Sequence, residues 1–373
     1  MSLRDKLRQA RRSGQGSPRG IFERFGVTAN PFPSASQTSG NPHYPQEEAD
    51  ELAETQIAAF IRDNRSQSLT VVGSQGVGKT NFLNYFEEQL TDAADELEGY
   101  YVVRYLADPE NTFDGTIHKL LQELGAGHFT RLAESLSKDQ SAIRVARSQD
   151  LQTVLHRLAE TDEDENREEF VELMLAWLLG HRVLKLHRDW LGVNFRQDTV
   201  EAKTATFRDI VEVSSKTGIL KGIFLLLDEL EKQDGVLGPR AVVRYLSAIR
   251  AIIDALPHGL FLMLAVTPDA LLRYTAALPA LRGRLENRVV LEALQDEDEA
   301  VDLAEFYIDK AREKAREDRN QRGGKEEILS RRKIAKCFKT LWERTEERGD
   351  DGVRQREFLN SLHLRTEREL RGD

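Results

Sequence analysis

The sequence predicts an α/β fold in which helices cover a parallel five-stranded sheet, with a helical insertion and a C-terminal helical lid. Three observations predict it. Short apolar runs alternate with segments of helical spacing, a glycine-rich turn joins the first run to a helix, and a later run ends in two adjacent acidic residues. Strands that alternate with helices form parallel sheets with right-handed crossovers. Ligands of such sheets bind at the carboxyl ends of the strands, so the residues that follow the strands are the candidate site residues.

The first predicted elements lead into the glycine-rich turn. Residues 25–46 hold four of the ten prolines and are expected to form an irregular, extended segment. A helix is expected from about Glu47 to Arg62, followed by a strand, SLTVVG, over residues 68–73. This run is short, apolar and rich in β-branched residues, which is typical of a buried strand.

The turn GSQGVGKT, residues 73–80, separates that strand from a helical segment, TNFLNYFEEQL, and has the spacing of a P-loop. Glycines lack Cβ atoms, so the backbone can wrap around a phosphate at a helix N-terminus, whose dipole favours anions. Lys79 is expected to reach the β- and γ-phosphates, and Thr80 to bind Mg²⁺ through its hydroxyl. The turn therefore predicts a nucleoside triphosphate site. The residues expected to bind the nucleotide are Gly73, Ser74, Gln75, Gly76, Val77, Gly78, Lys79, Thr80 and Asn81.

A second apolar run, GIFLLLDELE in residues 222–231, is too apolar for anything but a central strand and ends in an acidic pair. Asp228 is expected to orient Mg²⁺ or its water shell, and Glu229 to polarise the attacking water. Together with the P-loop, the pair favours hydrolysis of a nucleotide.

Similar apolar runs predict the remaining strands, with helical patterns between them. The runs are YYVVRYLA (100–107), GLFLMLAVT (259–267) and RVVLEAL (288–294). The chain from the helix that ends near Leu124 to the strand that begins near Gly222 is far longer than one crossover needs, which predicts a helical insertion at about residues 125–215. Its apolar residues are expected either to form a small core or to dock a partner. They are Trp177, Leu178, Leu179, Val183 and Trp190.

Composition and charge exclude several classes of protein. No apolar run approaches the ~20 residues that cross a bilayer, and the start of the chain lacks the apolar core of a secretory signal. A cytoplasmic protein that does not associate with a membrane is therefore expected. A single cysteine, Cys337, excludes an intrachain disulfide and a thiolate metal cluster. The net charge of −10 argues against a surface that attracts nucleic acid everywhere. Residues 1–24 are locally basic and form either a solvated tail or an arm that contacts DNA or a partner.

With these motifs, the sequence resembles the AAA+ ATPases. It is most similar to the branch that contains Orc/Cdc6-like replication initiators, TniB-type transposition regulators, ExeA-type secretion ATPases and ATP-binding proteins of bacterial defence loci of the BREX type. The resemblance covers about residues 25–365, apart from the insertion. It implies a P-loop AAA+ core, ATP and Mg²⁺ as cofactors, and a homo-oligomer. The expected domains are a basic tail (1–24), a nucleotide-binding domain (25–295) and a helical lid (296–373).

Two further segments carry the resemblance near the nucleotide. FGVTANPF (25–32) resembles an N-terminal segment of several of these proteins, which implies that Phe25, Pro31 or Phe32 packs near the adenine, although packing in the core is an equal alternative. Thr267 ends the fourth strand, where the family places its sensor 1 residue close to the γ-phosphate. Thr267 can also cap the helix that follows, and one residue can do both.

Two arginine-containing segments resemble the family's arginine finger and sensor 2. Arg284, in the segment before the last strand, matches the arginine finger, with Arg282 and Arg288 as competitors. Arg356 matches the lid arginine that reaches the bound phosphates, with Arg354 as the alternative. A finger arginine stabilises transition-state charge on the phosphates of a neighbouring subunit.

The resemblance supports one function and leaves two alternatives. Replication initiators continue into a winged helix, whereas this sequence stops at Asp373, so a DNA-reading wing is not assumed. The Asn-Lys-x-Asp motif of GTPases and the Leu-Ser-Gly-Gly motif of ABC ATPases are absent from the sequence. The expected function is an ATPase that acts as an oligomeric switch, with an effector protein and DNA, in bacterial anti-phage defence or mobile-element control. The alternatives are a nucleotide-gated scaffold with little hydrolysis and a replication-initiator-like ATPase.

Overall fold

The computed structural model describes residues 22–37, 40–93, 96–106, 114–161, 164–194, 197, 199–231, 239–319 and 326–371. Most of the predicted basic tail therefore lies outside the described residues. The chain divides into two compact units. The P-loop unit falls within Met1–Gln46, Gly73–Phe82 and Leu291–Asp373, and the sheet unit within Glu47–Val72 and Leu83–Val290. The predicted boundary between nucleotide-binding domain and lid stays a prediction.

Five parallel strands form one sheet in the sheet unit, in the order β2-β3-β4-β1-β5. They are β1 (Gln67–Val72), β2 (Tyr100–Leu106), β3 (Gly222–Asp228), β4 (Leu260–Val266) and β5 (Arg288–Val290). Every residue of β3 and β4 is buried. Such continuous apolar strands are typical of a parallel sheet that is covered on both faces. The predicted α/β fold with a parallel five-stranded sheet is confirmed.

The last strand is shorter than the sequence predicts. The apolar run continues to residue 294, whereas β5 ends at Val290. In the P-loop unit, Leu294 and Val353 exchange two backbone hydrogen bonds, of 2.9 and 3.0 Å, in an isolated antiparallel bridge. β5 ends at Val290 because its partner there, Val72, is the last residue of β1, and an apolar run does not show where its partner strand ends.

Helices precede, separate and follow the strands. Those up to the last strand are α1 (Glu47–Asp63), α2 (Lys79–Asp92), α3 (Asp114–Lys138), α4 (Gln149–Glu160), α5 (Asp164–Leu178), α6 (Lys185–Leu191), α7 (Val200–Lys216), α8 (Pro239–Ala255), α9 (Pro268–Ala277) and α10 (Pro279–Arg282), with a short 3₁₀ helix at Gln140–Val145. Gly125 interrupts α3 with φ 67° and ψ 176°, where the sequence predicts that the first helix ends.

The predicted insertion extends the core of the sheet unit. Trp177 and Leu178 are each 1% exposed and belong to the same hydrophobic cluster as Leu225 of β3 and Leu262 of β4. Its other predicted apolar residues pack against that cluster from partly buried positions; they are Leu179, Val183 and Trp190. In the described part of the insertion, these side chains therefore belong to the core of the sheet rather than to a separate small core.

A buried histidine links three elements of the sheet unit. The Nδ1 atom of His128 in α3 lies 2.8 Å from the hydroxyl of Tyr101 in β2, and its Nε2 atom lies 2.9 Å from the hydroxyl of Ser214 in α7. Burial, reinforced by the charge of Arg131, lowers the pKa of His128 from 6.5 to about 4. The imidazole is therefore neutral in the folded protein at neutral pH.

The P-loop unit has its own hydrophobic core, formed by the N-terminal segment and the C-terminal helices. These helices are α11 (Glu297–Arg319), α12 (Arg331–Arg348) and α13 (Gln355–Arg371). Phe25 and Phe32 belong to this core with Phe338 of α12 and Phe358 of α13. No helix among the described residues is long and apolar enough to cross a membrane.

Candidate nucleotide-binding site

The P-loop, residues 73–80, encloses its own lysine. The Nζ atom of Lys79 donates hydrogen bonds to the carbonyl oxygens of Gly73, at 2.8 Å, and Ser74, at 3.2 Å. Lys79 is only 8% exposed although it is charged. A buried ammonium must be paired with oxygen atoms to be stable, so the loop fixes the position of this cation.

Three glycines of the P-loop are required, one because space is lacking and two because of their backbone conformation. A Cβ atom on Gly73 would lie 2.6 Å from Cγ2 of Val77 and 2.9 Å from the carbonyl oxygen of Leu291. Gly76 and Gly78 have φ angles of 89° and 111°, which side chains disfavour. The P-loop conformation therefore requires glycine at these positions for steric and conformational reasons.

The start of α13 packs against the P-loop within the P-loop unit. The backbone N–H of Arg356 donates a 3.0 Å hydrogen bond to the carbonyl of Gly76, and the Gln355 side chain lies beside Gly78. The Arg356 side chain is exposed, whereas Arg354 forms an ion pair of 3.2 Å with Asp350. Arg356 therefore lies next to the P-loop with an exposed side chain, and its sensor 2 role stays a prediction.

Asp228 ends β3, and each of its two carboxylate oxygens accepts one hydrogen bond. It is 1% exposed, and its Oδ1 atom accepts a 2.8 Å hydrogen bond from the backbone N–H of Glu229. Its Oδ2 atom accepts a 2.8 Å hydrogen bond from Nη2 of Arg104 in β2. These two bonds fix the orientation of the carboxylate at the carboxyl edge of the sheet.

Glu229 has a backbone conformation that its residue type disfavours. Its φ angle is 56°, and among the described residues Asn64 alone of the other non-glycine residues has a positive φ. Asparagine tolerates this region much better than glutamate does. Strained backbone of this kind is found at functional sites, and among the described residues the residue type that tolerates it poorly is the predicted catalytic glutamate.

Thr267 follows β4 and caps α9. Its side chain accepts a hydrogen bond from the backbone N–H of Ala270, at 3.4 Å, and Pro268 occupies the first turn of the helix. Because β3 and β4 are parallel neighbours, Thr267 and Asp228 end strands at the same edge of the sheet. The capping role is therefore present, and the sensor 1 role stays a prediction.

Arg284 is exposed but paired. Its guanidinium lies 2.7 Å from Asp254 of α8, which also pairs with Arg250 at 3.1 Å. Arg282 is exposed, and Nε of Arg288 donates to the carbonyl of Leu285. Asp254 thus holds Arg284 at the surface, and which arginine acts as a finger stays a prediction.

The N-terminal segment is anchored to α13. The side chain of Asn30 donates to the carbonyl of His363 at 3.2 Å, and the ring Nδ1 of His363 lies 2.7 Å from the carbonyl oxygen of Phe32. Phe25 is 4% exposed and Phe32 is 1% exposed, and both lie in the core of the P-loop unit. This burial favours the core-packing alternative over packing against adenine.

The side chains predicted to hold Mg²⁺ are oxygen donors. Thr80 is partly buried in the first turn of α2, and Asp228 carries a buried carboxylate. Mg²⁺ is commonly bound by one or two carboxylates together with phosphates and water, so these donors fit the ion. No group of three or more His, Cys, Asp or Glu side chains forms a separate metal site in the part of the chain that the structure describes.

Sequence reasoning missed Arg104 as a site residue. It is 13% exposed at its side chain, and it contacts Asn84 and Glu87 of α2 as well as Asp228. Burial lowers the pKa of the Arg104 guanidinium, although the carboxylates of Asp228 and Glu87 oppose this effect. The available signal was a single charge within an otherwise apolar strand, YYVVRYL.

Comparisons with known proteins give the family. The model of the BREX system ATP-binding protein BrxC/D family matches residues 122–363, about two thirds of the chain. The matched range includes the Asp228-Glu229 pair and begins after the P-loop. No curated protein matches the sequence.

Several solved structures are similar at low sequence identity. The Orc2 protein of Aeropyrum pernix, in its ADPNP-ADP complexes, is 12% identical with a TM-score of 0.42, covering 90% of this chain and 72% of that chain. The Walker-type ATPase PABY2304 of Pyrococcus abyssi is 13% identical with a TM-score of 0.42, covering 91% of this chain and 75% of that chain. On the family match over most of its length, this chain belongs to the BREX system ATP-binding protein BrxC/D family.

Proposed function

We propose that this protein hydrolyses ATP with Mg²⁺ and uses the cycle as an oligomeric switch. The observation that carries the proposal is the backbone conformation of Glu229. This residue directly follows the buried Asp228, and its φ angle is 56°. A charged loop without a function would not need this strained conformation. Membership of an ATP-binding family and the glycine geometry of the P-loop support ATP as the nucleotide.

The proposed mechanism assigns one role to each side chain. Lys79 binds the β- and γ-phosphates, while Thr80 and Asp228 hold Mg²⁺, which neutralises charge on the phosphates when bound. Glu229 orients and polarises the attacking water as a general base. Arg356, which adjoins Gly76, couples the state of the phosphates to the C-terminal helices, and Thr267 acts as sensor 1 at the edge of the sheet.

The proposed biological role extends the same cycle to other proteins. We place Arg284 as the finger that reaches the nucleotide of a neighbouring subunit, so that assembly and hydrolysis are coupled. Family membership supports a role in bacterial anti-phage defence, with an effector protein and DNA as partners of the assembly. The exposure of Arg284 at 44% is compatible with a contact between copies.

The test uses two variants that fail at different steps. Glu229→Gln removes the general base and is expected to retain ATP binding while hydrolysing at least ~10²-fold more slowly. Lys79→Ala is expected to lose binding. Unchanged steady-state hydrolysis in Glu229→Gln would remove this carboxylate from the mechanism.

The same pair separates a switch from a scaffold in cells. If turnover drives function, both variants lose protection against phage. If protection survives Glu229→Gln but is lost with Lys79→Ala, the protein acts as a nucleotide-gated scaffold and the switch is refuted.

A further inference from the structure

A buried arginine contacts the Asp228 carboxylate from the neighbouring strand. Arg104 lies in β2, where it is paired in register with Leu226 of β3, two residues before Asp228. Successive residues of a strand point to opposite faces, so Arg104 and Asp228 share one face of the sheet as diagonal neighbours. A long side chain bridges such a diagonal, which gives the 2.8 Å contact between Nη2 and Oδ2.

The guanidinium is also anchored to the helix that begins at Lys79. Its Nη2 atom donates to the side-chain oxygen of Asn84 at 3.3 Å, and its Nε atom lies 3.8 Å from a carboxylate oxygen of Glu87. Arg104 therefore lies between two carboxylates, with a closer contact to Asp228 than to Glu87. Burial raises the pKa of Glu87, and the charge of Arg104 opposes this.

The packing of the sheet does not account for this arginine. A buried charge is unfavourable unless it is paired, and an apolar residue would fill a strand position at less cost. The Nη1 atom of Arg104 is buried and has no hydrogen-bond acceptor among the described residues. Buried side-chain donors usually have at least one hydrogen-bond partner, so burying this guanidinium has a cost. The closest charged contact that offsets this cost is the one with Asp228, at 2.8 Å.

We propose that Arg104 is a positioning residue that neutralises Asp228 while no metal ion is bound and fixes the orientation of its carboxylate. The inference rests on the proposed role of Asp228 in Mg²⁺ binding. Since like charges repel, the Arg104–Asp228 pair would be weakened when Mg²⁺ is bound, and Glu87, 3.8 Å from Nε, would provide the alternative carboxylate for the guanidinium. Arg104 thereby sets the Mg²⁺ concentration at which the site is loaded.

The first experiment tests the pair without nucleotide or metal. Arg104→Met, Asp228→Asn and the double variant are unfolded with urea in the presence of a chelator. Each single variant is expected to unfold at a lower urea concentration, and the double variant to lose clearly less than the sum. A double variant that folds when Arg104→Met does not gives the same support. Strictly additive losses would refute the pairing.

The second experiment measures the Mg²⁺ midpoint for binding of a fluorescent ADP analogue to the full chain. Arg104→Met is expected to lower the midpoint at least threefold, because the competing charge is gone. Arg104→Lys, which keeps the charge, is expected to stay within twofold of the parent. Glu87→Gln is expected to raise the midpoint, because Asp228 is then the sole carboxylate partner of Arg104, and this variant decides the matter if Arg104→Met fails to fold. An unchanged midpoint in both Arg104→Met and Glu87→Gln overturns the proposal.

The Asp228→Asn variant distinguishes this inference from the proposed function. If it leaves the Mg²⁺ midpoint unchanged, the metal role of Asp228 is wrong, and with it the proposed effect of Arg104 on loading. The urea cycle still decides whether the pair exists. If Asp228→Asn raises the midpoint while the urea cycle is additive, the Mg²⁺ site stands and the role of Arg104 is refuted.

Discussion

Replacing Glu229 by glycine is expected to make the folded protein more stable than replacing it by alanine. Both changes delete the carboxylate, and both keep the backbone N–H that donates to Asp228 at 2.8 Å. The loss of side-chain contacts therefore cancels between the two variants. What differs is the free-energy cost of the φ angle of 56°. Alanine must adopt this angle against its preference, whereas glycine adopts it freely.

The magnitude follows from two opposing terms. A left-handed conformation costs an L-residue about 1–2 kcal/mol. Glycine loses about 0.5–1 kcal/mol more conformational entropy on folding than alanine does. The free energy of unfolding of Glu229→Gly should therefore exceed that of Glu229→Ala by about 0.7 kcal/mol, the difference between the middle values of these terms, and by at most about 1.5 kcal/mol.

The assay is urea unfolding of both variants, with Ala58→Gly as the matched control. Ala58 is exposed in the middle of α1 in the same unit, so glycine should destabilise the protein there by about 0.5–1 kcal/mol. Neither Glu229 variant is expected to hydrolyse ATP. If Glu229→Gly is less stable than Glu229→Ala, as at the control site, the backbone at Glu229 carries no strain and the argument from strain to function fails.

Three further predictions concern the P-loop, the subunit contact and pH. Gly73→Ala should weaken ATP binding more than tenfold and destabilise the protein by about 1–3 kcal/mol, because its Cβ would overlap buried atoms. The control Gly349→Ala, at φ 71° with nothing within 4 Å of the added Cβ, should keep the ATP affinity of the parent. Equal ATP affinities of the two variants in calorimetry would contradict this prediction. Mixing Arg284→Ala with Lys79→Ala should restore part of the ATPase rate, since mixed interfaces pair an intact P-loop with an intact finger, and no recovery in assembled mixtures would refute a finger in trans. Because the pKa of His128 is lowered to about 4 in the folded protein, the unfolded chain binds the extra proton. Stability should therefore fall as pH decreases from 6.5 to 4, by up to about 3 kcal/mol, and His128→Gln should show a shallower decrease in urea titrations.

The sequence by itself determined the features whose residues are contiguous. The P-loop, the acidic pair after β3 and the alternation of strands and helices each occupy one short segment, and local physics is enough to recognise them. Glycine is required where a backbone wraps around phosphate, and a run such as GIFLLLD is stable only between two covered faces. The parallel sheet and the nucleotide class could therefore be predicted, while the roles of Thr267, Arg284 and Arg356 rested on resemblance.

Only the tertiary structure decided which distant residues meet. The contact between Arg104 and Asp228 joins residues separated by 124 positions, and the hydrogen bond from Arg356 to Gly76 also joins residues that are distant in the sequence. Strand order set the first contact, because β2 and β3 are neighbours in the sheet although a long insertion separates them in sequence. The early end of β5 also depends on a distant segment, because Val290 pairs with Val72, the last residue of β1. Hydrophobic periodicity reports which face of a segment is buried, but burial is non-directional, so the pattern does not specify the partner.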